Sequence, residues 1–101
     1  MKIQDLLNCS SKWVKNGLSV DKNNKSVNPR SSAAIKWCLI GALEKCYPKF
    51  DDRFAASSKV INALSHFNYS LHLPIFNDDP KTTFQMLKKV IKKANVWKFK
   101  N

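Results

Sequence analysis

The sequence is poor in glycine and in acidic residues, and it contains no long apolar run. Two glycines are too few for a glycine-rich phosphate loop or for a β-sandwich with many tight turns. No apolar stretch approaches the roughly 20 residues that a bilayer-spanning helix needs. The first residues lack the continuous apolar segment of a signal peptide and include an early acidic residue. These absences predict a soluble, cytoplasmic protein.

Cysteine is also scarce, and its pattern argues against both disulfides and metal. Three cysteines, an odd number without a Cys-x-x-Cys pair, fit a reducing compartment better than a disulfide scaffold. The potential zinc ligands show no pairing at the short spacing of zinc sites. They are Cys9, Cys38, Cys46, His66 and His72. We therefore expect no metal and no cofactor.

The scarcity of acidic residues leaves a formal net charge of +11, from 18 Lys and Arg against 7 Asp and Glu. Such an excess favours contact with a polyanion, either nucleic acid or an acidic protein surface. AT-rich coding is an alternative origin for the lysines, since asparagine is abundant as well. A membrane surface is not expected, because the bulky apolar residues beside the lysines are assigned to the core by their periodicity.

A chain of 101 residues predicts a single domain, spanning residues 1–101, with one modest core. The stretch 31–47 is predicted to be its central helix. Ser31 and Ser32 are good N-cap residues, and Pro48 cannot continue a helix. The helix places apolar residues on more than one side, and Gly41 indicates close approach of another backbone or ring.

Three further helices are predicted around this central one, which makes the fold mainly α, a compact four-helix domain. The helical period and the capping residues place them at Lys2 to Asn16 with Gly17 as C-cap, at Asp51 or Asp52 to Phe67, and at Pro80 to about Asn95. Residues 68–79 lose the helical period, so we expect an extended segment over the core there. The acidic pairs Asp51-Asp52 and Asp78-Asp79 are interpreted as helix caps.

Residues 18–30 also lack a helical period and are predicted to form a small β-hairpin or a loop insertion. Two short β-branched pieces flank Asn23 and Asn24, and asparagine tolerates the positive φ of tight turns. Lys22, Lys25 and Arg30 make this insertion basic.

The last predicted helix has an apolar side and a lysine-rich polar side, and the polar side is the best candidate for a binding face. Lysine contacts phosphate without reading bases, so nucleic-acid binding there would be independent of sequence. The alternative is a solvated helix face without a ligand. The candidate binding residues are Lys88, Lys89, Lys92 and Lys93 on the helix, Lys98 and Lys100 in the tail, and Lys22, Lys25 and Arg30 in the insertion.

A catalytic site is conceivable around Cys38, with His66 or His72 as base and Asn77 or Asp78 as the orienting group. Cys38, however, is predicted to lie in the middle of the central helix on its apolar stripe. This position is typical of a buried, unreactive cysteine far from the helix N-terminus that would stabilise a thiolate. We therefore expect no enzyme.

Several pieces of the chain together resemble an uncharacterised family of small phage and bacterial proteins. They are Trp13 with Lys15-Asn16-Gly17, Val20-Asp21, Val27, the block WCLIGAL from Trp37 to Leu43, and Asn77-Asp78. The family's pattern has a glycine in the turn after the first helix, where this chain has Asn23 and Asn24. The resemblance brings no activity, but it implies a phage or mobile-element setting, in which small proteins bind and redirect host machinery.

Three functions follow as hypotheses. The first is a non-enzymatic phage-type protein that docks a basic face on a host nucleic-acid-handling or defence complex, as an inhibitor of a CRISPR effector would. The second is sequence-independent binding of DNA or RNA. The third is a small Cys/His enzyme.

Overall fold

Helices dominate the computed structural model, which describes residues 1–96, and they confirm a mainly α fold with a small hairpin. Within these residues the order of elements is α1 (Ile3–Leu6), a 3-10 turn (Ser10–Lys12), β1 (Ser19–Val20), β2 (Lys36–Trp37), α2 (Leu39–Cys46), α3 (Phe50–His66), α4 (Leu73–Asp78) and α5 (Phe84–Ala94).

The core surrounds α2, which contributes Leu39, Ala42 and Leu43 as fully buried side chains. This short helix packs against α1, α3 and α4, while α5 packs against α3 and α1. The helix at the centre of the sequence is thus also at the centre of the fold, as predicted. The surrounding helices add buried apolar side chains at helical spacing, such as Val60 and Leu64 of α3.

The predicted start of the central helix at Ser31 is wrong, because α2 begins eight residues later, at Leu39. Backbone pairing holds the preceding residues extended: the Ile35 N–H donates to the Val20 carbonyl (2.9 Å), and the Cys38 N–H donates to the Leu18 carbonyl (3.0 Å). β-Branched and aromatic side chains suit such a strand. Ile35, which lies within the predicted central helix, is 45% exposed.

The predicted first helix from Lys2 to Asn16 is also wrong beyond its first turn. α1 ends at Leu6, and the polar residues 8–11 that follow compete for backbone hydrogen bonds and favour turns. Trp13 then bridges to Trp37 in parallel orientation, and the Val14 N–H donates to the Trp37 carbonyl (3.1 Å). Asn16, not Gly17, adopts the left-handed conformation, with a φ of 63°.

The turn in the insertion is confirmed, but the strand pairing differs from the predicted hairpin. Asn24 has a φ of 64°, and the Asp21 carboxylate accepts the backbone N–H of Asn23 and of Lys25 at 2.9 Å each. Within the insertion, Val20 bridges to Ser26, and the Val27 N–H donates to the Ser19 carbonyl (3.1 Å). The strand partner of β1 is β2, with Ser19 opposite Trp37 in an antiparallel register. A partner outside 18–30 therefore completes the sheet.

Gly41 confirms the predicted close approach of a second backbone. A Cβ at this position would overlap the carbonyl oxygen of Leu18, the same oxygen that accepts the Cys38 N–H. The extended chain before β1 therefore lies directly on the first turn of α2, and only glycine leaves room for it.

The last third of the chain departs from prediction at two helix boundaries. The segment 68–79 is not extended throughout, because α4 forms within it with Pro74 in its first turn. α5 begins at Phe84, not Pro80: the Thr83 hydroxyl caps it by accepting the Met86 N–H (3.2 Å). Asp79 instead accepts the Lys81 N–H (2.8 Å) in the turn before the helix. The predicted helix 51–67 is confirmed as α3 within one or two residues at each end.

Candidate polyanion-binding face

The outer side of α5 carries four exposed lysines, which we name the lysine face: Lys88, Lys89, Lys92 and Lys93. Leu87, Val90 and Ile91 occupy the opposite side of the helix and are buried against α3 and α1. Because both sets recur at helical spacing, packing of the apolar side leaves the lysines pointing away from the core.

The described part of the fold leaves the charge of the lysine face without a neutralising partner. Within residues 1–96, no carboxylate lies within salt-bridge distance of these four lysines, and the sequence from Pro80 onward contains no acidic residue. Lys88 and Lys92, like Lys89 and Lys93, are four residues apart, and each such pair of like charges costs about 0.2–0.5 kcal/mol. The helix dipole favours the lysines of the last turn, Lys92 and Lys93, but not the other two. Helix stability alone therefore does not account for the cluster.

One edge of the lysine face meets an aromatic ring. The Lys89 ammonium lies 4.9 Å from the ring centroid of Phe67, the residue that follows α3. Together with Lys92, Lys93 and Asn95, these two residues line an open depression of about 460 Å³, which we name the Phe67 depression. A partly exposed ring beside several ammonium groups is a combination that single-stranded nucleic-acid sites use.

A second depression lies on the other side of Lys92, between α1 and α5. Its volume is about 380 Å³, and we name it the α1–α5 depression. It is lined by Gln4, Leu7, Asn8, Lys88, Ile91, Lys92 and Asn95. The Oε1 atom of Gln4 is buried and has no hydrogen-bond partner within residues 1–96. Rotation of this amide towards the depression would let its oxygen accept a donor from a ligand.

Periodicity in the sequence predicts the lysines as binding residues but does not single out Gln4, Asn8, Phe67 or Asn95. Only the packing of α1 and the end of α3 against α5 brings these residues to the lysines. The spacing of Gln4 and Asn8, four residues apart on the polar side of the predicted first helix, was the available signal.

The other predicted binding residues do not join the lysine face. Lys22 and Lys25 are exposed in the turn after β1, and the sheet packs against α2 and the 3-10 turn. Arg30 is engaged with the end of α2 and the loop that follows it, where its guanidinium donates to the carbonyls of Glu44 (3.4 Å) and Pro48 (3.3 Å). Lys98 and Lys100 lie outside the described residues.

Cys38 is not in the middle of a helix, which corrects the prediction. It is the N-cap of α2, and its Sγ accepts the Gly41 N–H at 3.3 Å. Burial nevertheless raises the pKa of the Cys38 thiol, against the lowering effect of the backbone N–H groups at the helix start. Cys38 lines a depression of about 210 Å³ with Asn77 and Asp78. No histidine is among the described residues that line this depression.

Asn77 and Asp78 connect the segments on which the family resemblance rests. Oδ1 of Asn77 accepts the Trp13 indole N–H (2.7 Å) and the Leu39 backbone N–H (2.9 Å). Oδ1 of Asp78 accepts the Asn16 N–H (2.8 Å) and the Asn77 side-chain amide (2.8 Å). The geometry therefore gives this network a structural role, which holds the amino-terminal segment on α2 and α4.

A comparison of the chain with protein-family models, curated proteins and solved structures found no match. Among residues 1–96, no helix combines the length and the apolar character required to cross a membrane. The same residues contain no group of three or more His, Cys, Asp or Glu side chains placed to share a metal ion.

Proposed function

We propose that this chain is a non-enzymatic, phage-type binding protein that docks its lysine face on a host nucleic-acid-handling or defence complex in the cytoplasm. The observation that carries the proposal is the set of four exposed lysines with no carboxylate partner within residues 1–96. A polyanionic surface supplies the counter-charges that the fold leaves out, and removal of the repulsion between the lysines adds to the binding free energy.

A second candidate is sequence-independent binding of DNA or RNA, and the Phe67 depression favours it. Lysine ammonium groups contact phosphates as point charges, whereas base reading through bidentate contacts is typical of arginine. Both arginines of the chain donate to loop carbonyls around Pro48 instead. Contact with nucleic acid would therefore depend on charge and not on base sequence.

The two candidates are tested with one charge-removal variant and a matched control. The first replaces Lys88, Lys89, Lys92 and Lys93 with glutamine, which has a similar helix propensity. The control replaces four exposed lysines outside this face, Lys22, Lys25, Lys59 and Lys81, and so lowers the net charge by the same amount. Binding to labelled duplex and single-stranded DNA and RNA is measured by fluorescence anisotropy across a salt series.

Contact with about four phosphates predicts a slope of log affinity against log salt near −3 to −4. The slope approaches zero in the lysine-face variant and persists in the control. Equal weakening in both variants would assign the effect to net charge and contradict a dedicated face.

The docking proposal is tested by co-purification from host extract treated with nuclease, which removes bridging nucleic acid. Recovery of the same nucleic-acid-handling complex with wild type and control, and its loss with the lysine-face variant, supports docking. Recovery that is unaffected by the lysine-face substitutions overturns it.

A further inference from the structure

The two depressions on the lysine face differ in chemistry from a simple phosphate-binding surface. In the α1–α5 depression, the apolar side chains Leu7 and Ile91 lie beside the amides of Gln4, Asn8 and Asn95. A volume of about 380 Å³ lies within the range of small-molecule sites, about 300–1,000 Å³. Apolar contact combined with amide groups fits a planar ring that has hydrogen-bonding edges. A phosphate group alone would use neither the apolar side chains nor the amides of this depression.

The amide of Gln4 lines the α1–α5 depression, and its buried Oε1 meets a ligand there only when the amide rotates. This oxygen is an acceptor without a donor within residues 1–96. After that rotation the oxygen can accept the exocyclic amino group of adenine or cytosine, and glutamine and asparagine amides pair naturally with base edges. A carboxylate from an acidic peptide offers no donor and would leave Oε1 unpaired.

The Phe67 depression supplies a stacking surface that is already held in place. The ring stacks on Tyr69 with centroids 5.7 Å apart, and the edge of His66 meets it at 4.9 Å. The ring also packs against the hydrophobic core, while the Lys89 ammonium beside it sits on a flexible side chain that can move to a phosphate. Base-on-aromatic stacking contributes about 1–3 kcal/mol per base.

Lys92 and Asn95 line both depressions, so the two adjoin on either side of Lys92. A strand that places one base in each would carry its intervening phosphate over Lys92, with Lys88 and Lys93 flanking it. Duplex bases are stacked and paired and cannot enter two such depressions, whereas a single strand can splay them.

We infer that the lysine face binds single-stranded nucleic acid with two neighbouring bases seated in the α1–α5 and Phe67 depressions. This inference rests on the proposed function, since it requires that the lysine face meets a polyanion. It adds base contact to charge contact at the same site.

The test compares two octamers of equal charge, a single strand of adenine or cytosine nucleotides and an abasic phosphodiester strand, with a short duplex at equal phosphate concentration. Wild-type protein is expected to bind the base-containing single strand at least about tenfold more tightly than the abasic strand, as one stacked base predicts. Equal affinity for the two overturns base binding, even if the lysine face still binds both. An equal or higher affinity for the duplex overturns the preference for a single strand.

Charge-neutral variants locate the base contacts. Gln4→Met and Phe67→Leu are expected to reduce the tenfold preference while the slope against salt stays unchanged. Gln85→Met and Phe54→Leu are the matched controls, since both residues are exposed and line neither depression. If Phe67→Leu lowers the melting temperature, only Gln4→Met is used to decide whether bases are contacted, because this substitution alters an amide and not a packed ring. Absence of wild-type binding to every probe would overturn this inference, whereas the docking proposal is overturned only by the outcome of the co-purification.

Discussion

The indole N–H of Trp13 donates to Oδ1 of Asn77 at 2.7 Å, across 64 positions of sequence. The same oxygen accepts the Leu39 N–H, and the Asn77 amide group donates to the Val14 carbonyl (3.1 Å). One buried side chain thus satisfies groups from the amino-terminal segment and from the first turn of α2. Since unpaired buried polar groups are costly, this residue makes the positions of those two segments depend on α4.

Asn77→Ala is expected to destabilise the fold by about 3 kcal/mol, because it leaves the indole N–H and two backbone groups without their partner. Urea unfolding followed by tryptophan fluorescence measures the change. Asn62→Ala, at an exposed position of α3, is the control and should change stability by less than about 0.5 kcal/mol. A loss below 1 kcal/mol for Asn77→Ala would contradict the structural role.

Asn77→Asp is expected to make stability depend on pH. In the wild-type protein the Asp78 carboxylate accepts the Asn77 amide at 2.8 Å. In the variant the new carboxylate keeps an acceptor at position 77 but faces the Asp78 carboxylate. Two adjacent carboxylates resist ionising together, so repulsion falls when one takes up a proton. The variant should recover stability relative to wild type between pH 7 and pH 5. A difference that stays constant over this range would show that the two groups do not interact.

Gly41→Ala and Gly17→Ala form a matched pair with opposite expected outcomes. The added Cβ at Gly41 would overlap the Leu18 carbonyl, and overpacking costs typically about 1–3 kcal/mol, more than the roughly 1 kcal/mol of helix propensity gained. At Gly17 no heavy atom lies within 4 Å of the new Cβ, and its φ is not positive. Gly17→Ala should therefore be neutral or slightly stabilising. Thermal melts of both variants check the prediction, and equal melting temperatures would refute it.

The three thiols are expected to react at very different rates. Cys9 is exposed, and the hydrogen bond to the Ser11 hydroxyl (3.1 Å) lowers the pKa of its thiol. Burial raises the pKa of Cys46 to about 11 and also raises that of Cys38. A brief treatment with maleimide at neutral pH should label Cys9 alone in the native protein, as read by peptide mass spectrometry. Cys9→Ser should abolish the rapid labelling, whereas rapid labelling at Cys38 would contradict its burial.

Alkaline pH is expected to remove a stabilising contribution of Tyr47. Burial raises the pKa of this phenol from 10.0 to about 12, so above pH 10 the unfolded chain releases the proton before the folded chain does. The contribution is complete below pH 10 and is lost as the pH rises towards 12. Tyr47→Phe should be less stable than wild type at pH 8, because the Tyr47 hydroxyl accepts the Ile3 N–H at 3.3 Å. This disadvantage should shrink between pH 10 and pH 12, and a constant difference would argue against the raised pKa.

Local sequence determined α3, the body of α5, the lysine face and the turn at Asn24, because helical spacing, helix dipoles and asparagine's tolerance of positive φ act within a few residues. It also located Gly41 as a point of close approach. Tertiary structure alone decided that residues 35–38 pair with 18–20 as a strand, since hydrogen bonds between distant segments override a local helical pattern. Tertiary structure also decided the two depressions, because Gln4 and Phe67 reach the lysines only when α1 and α3 pack against α5. No local sequence pattern encodes the distance between these residues and the lysines.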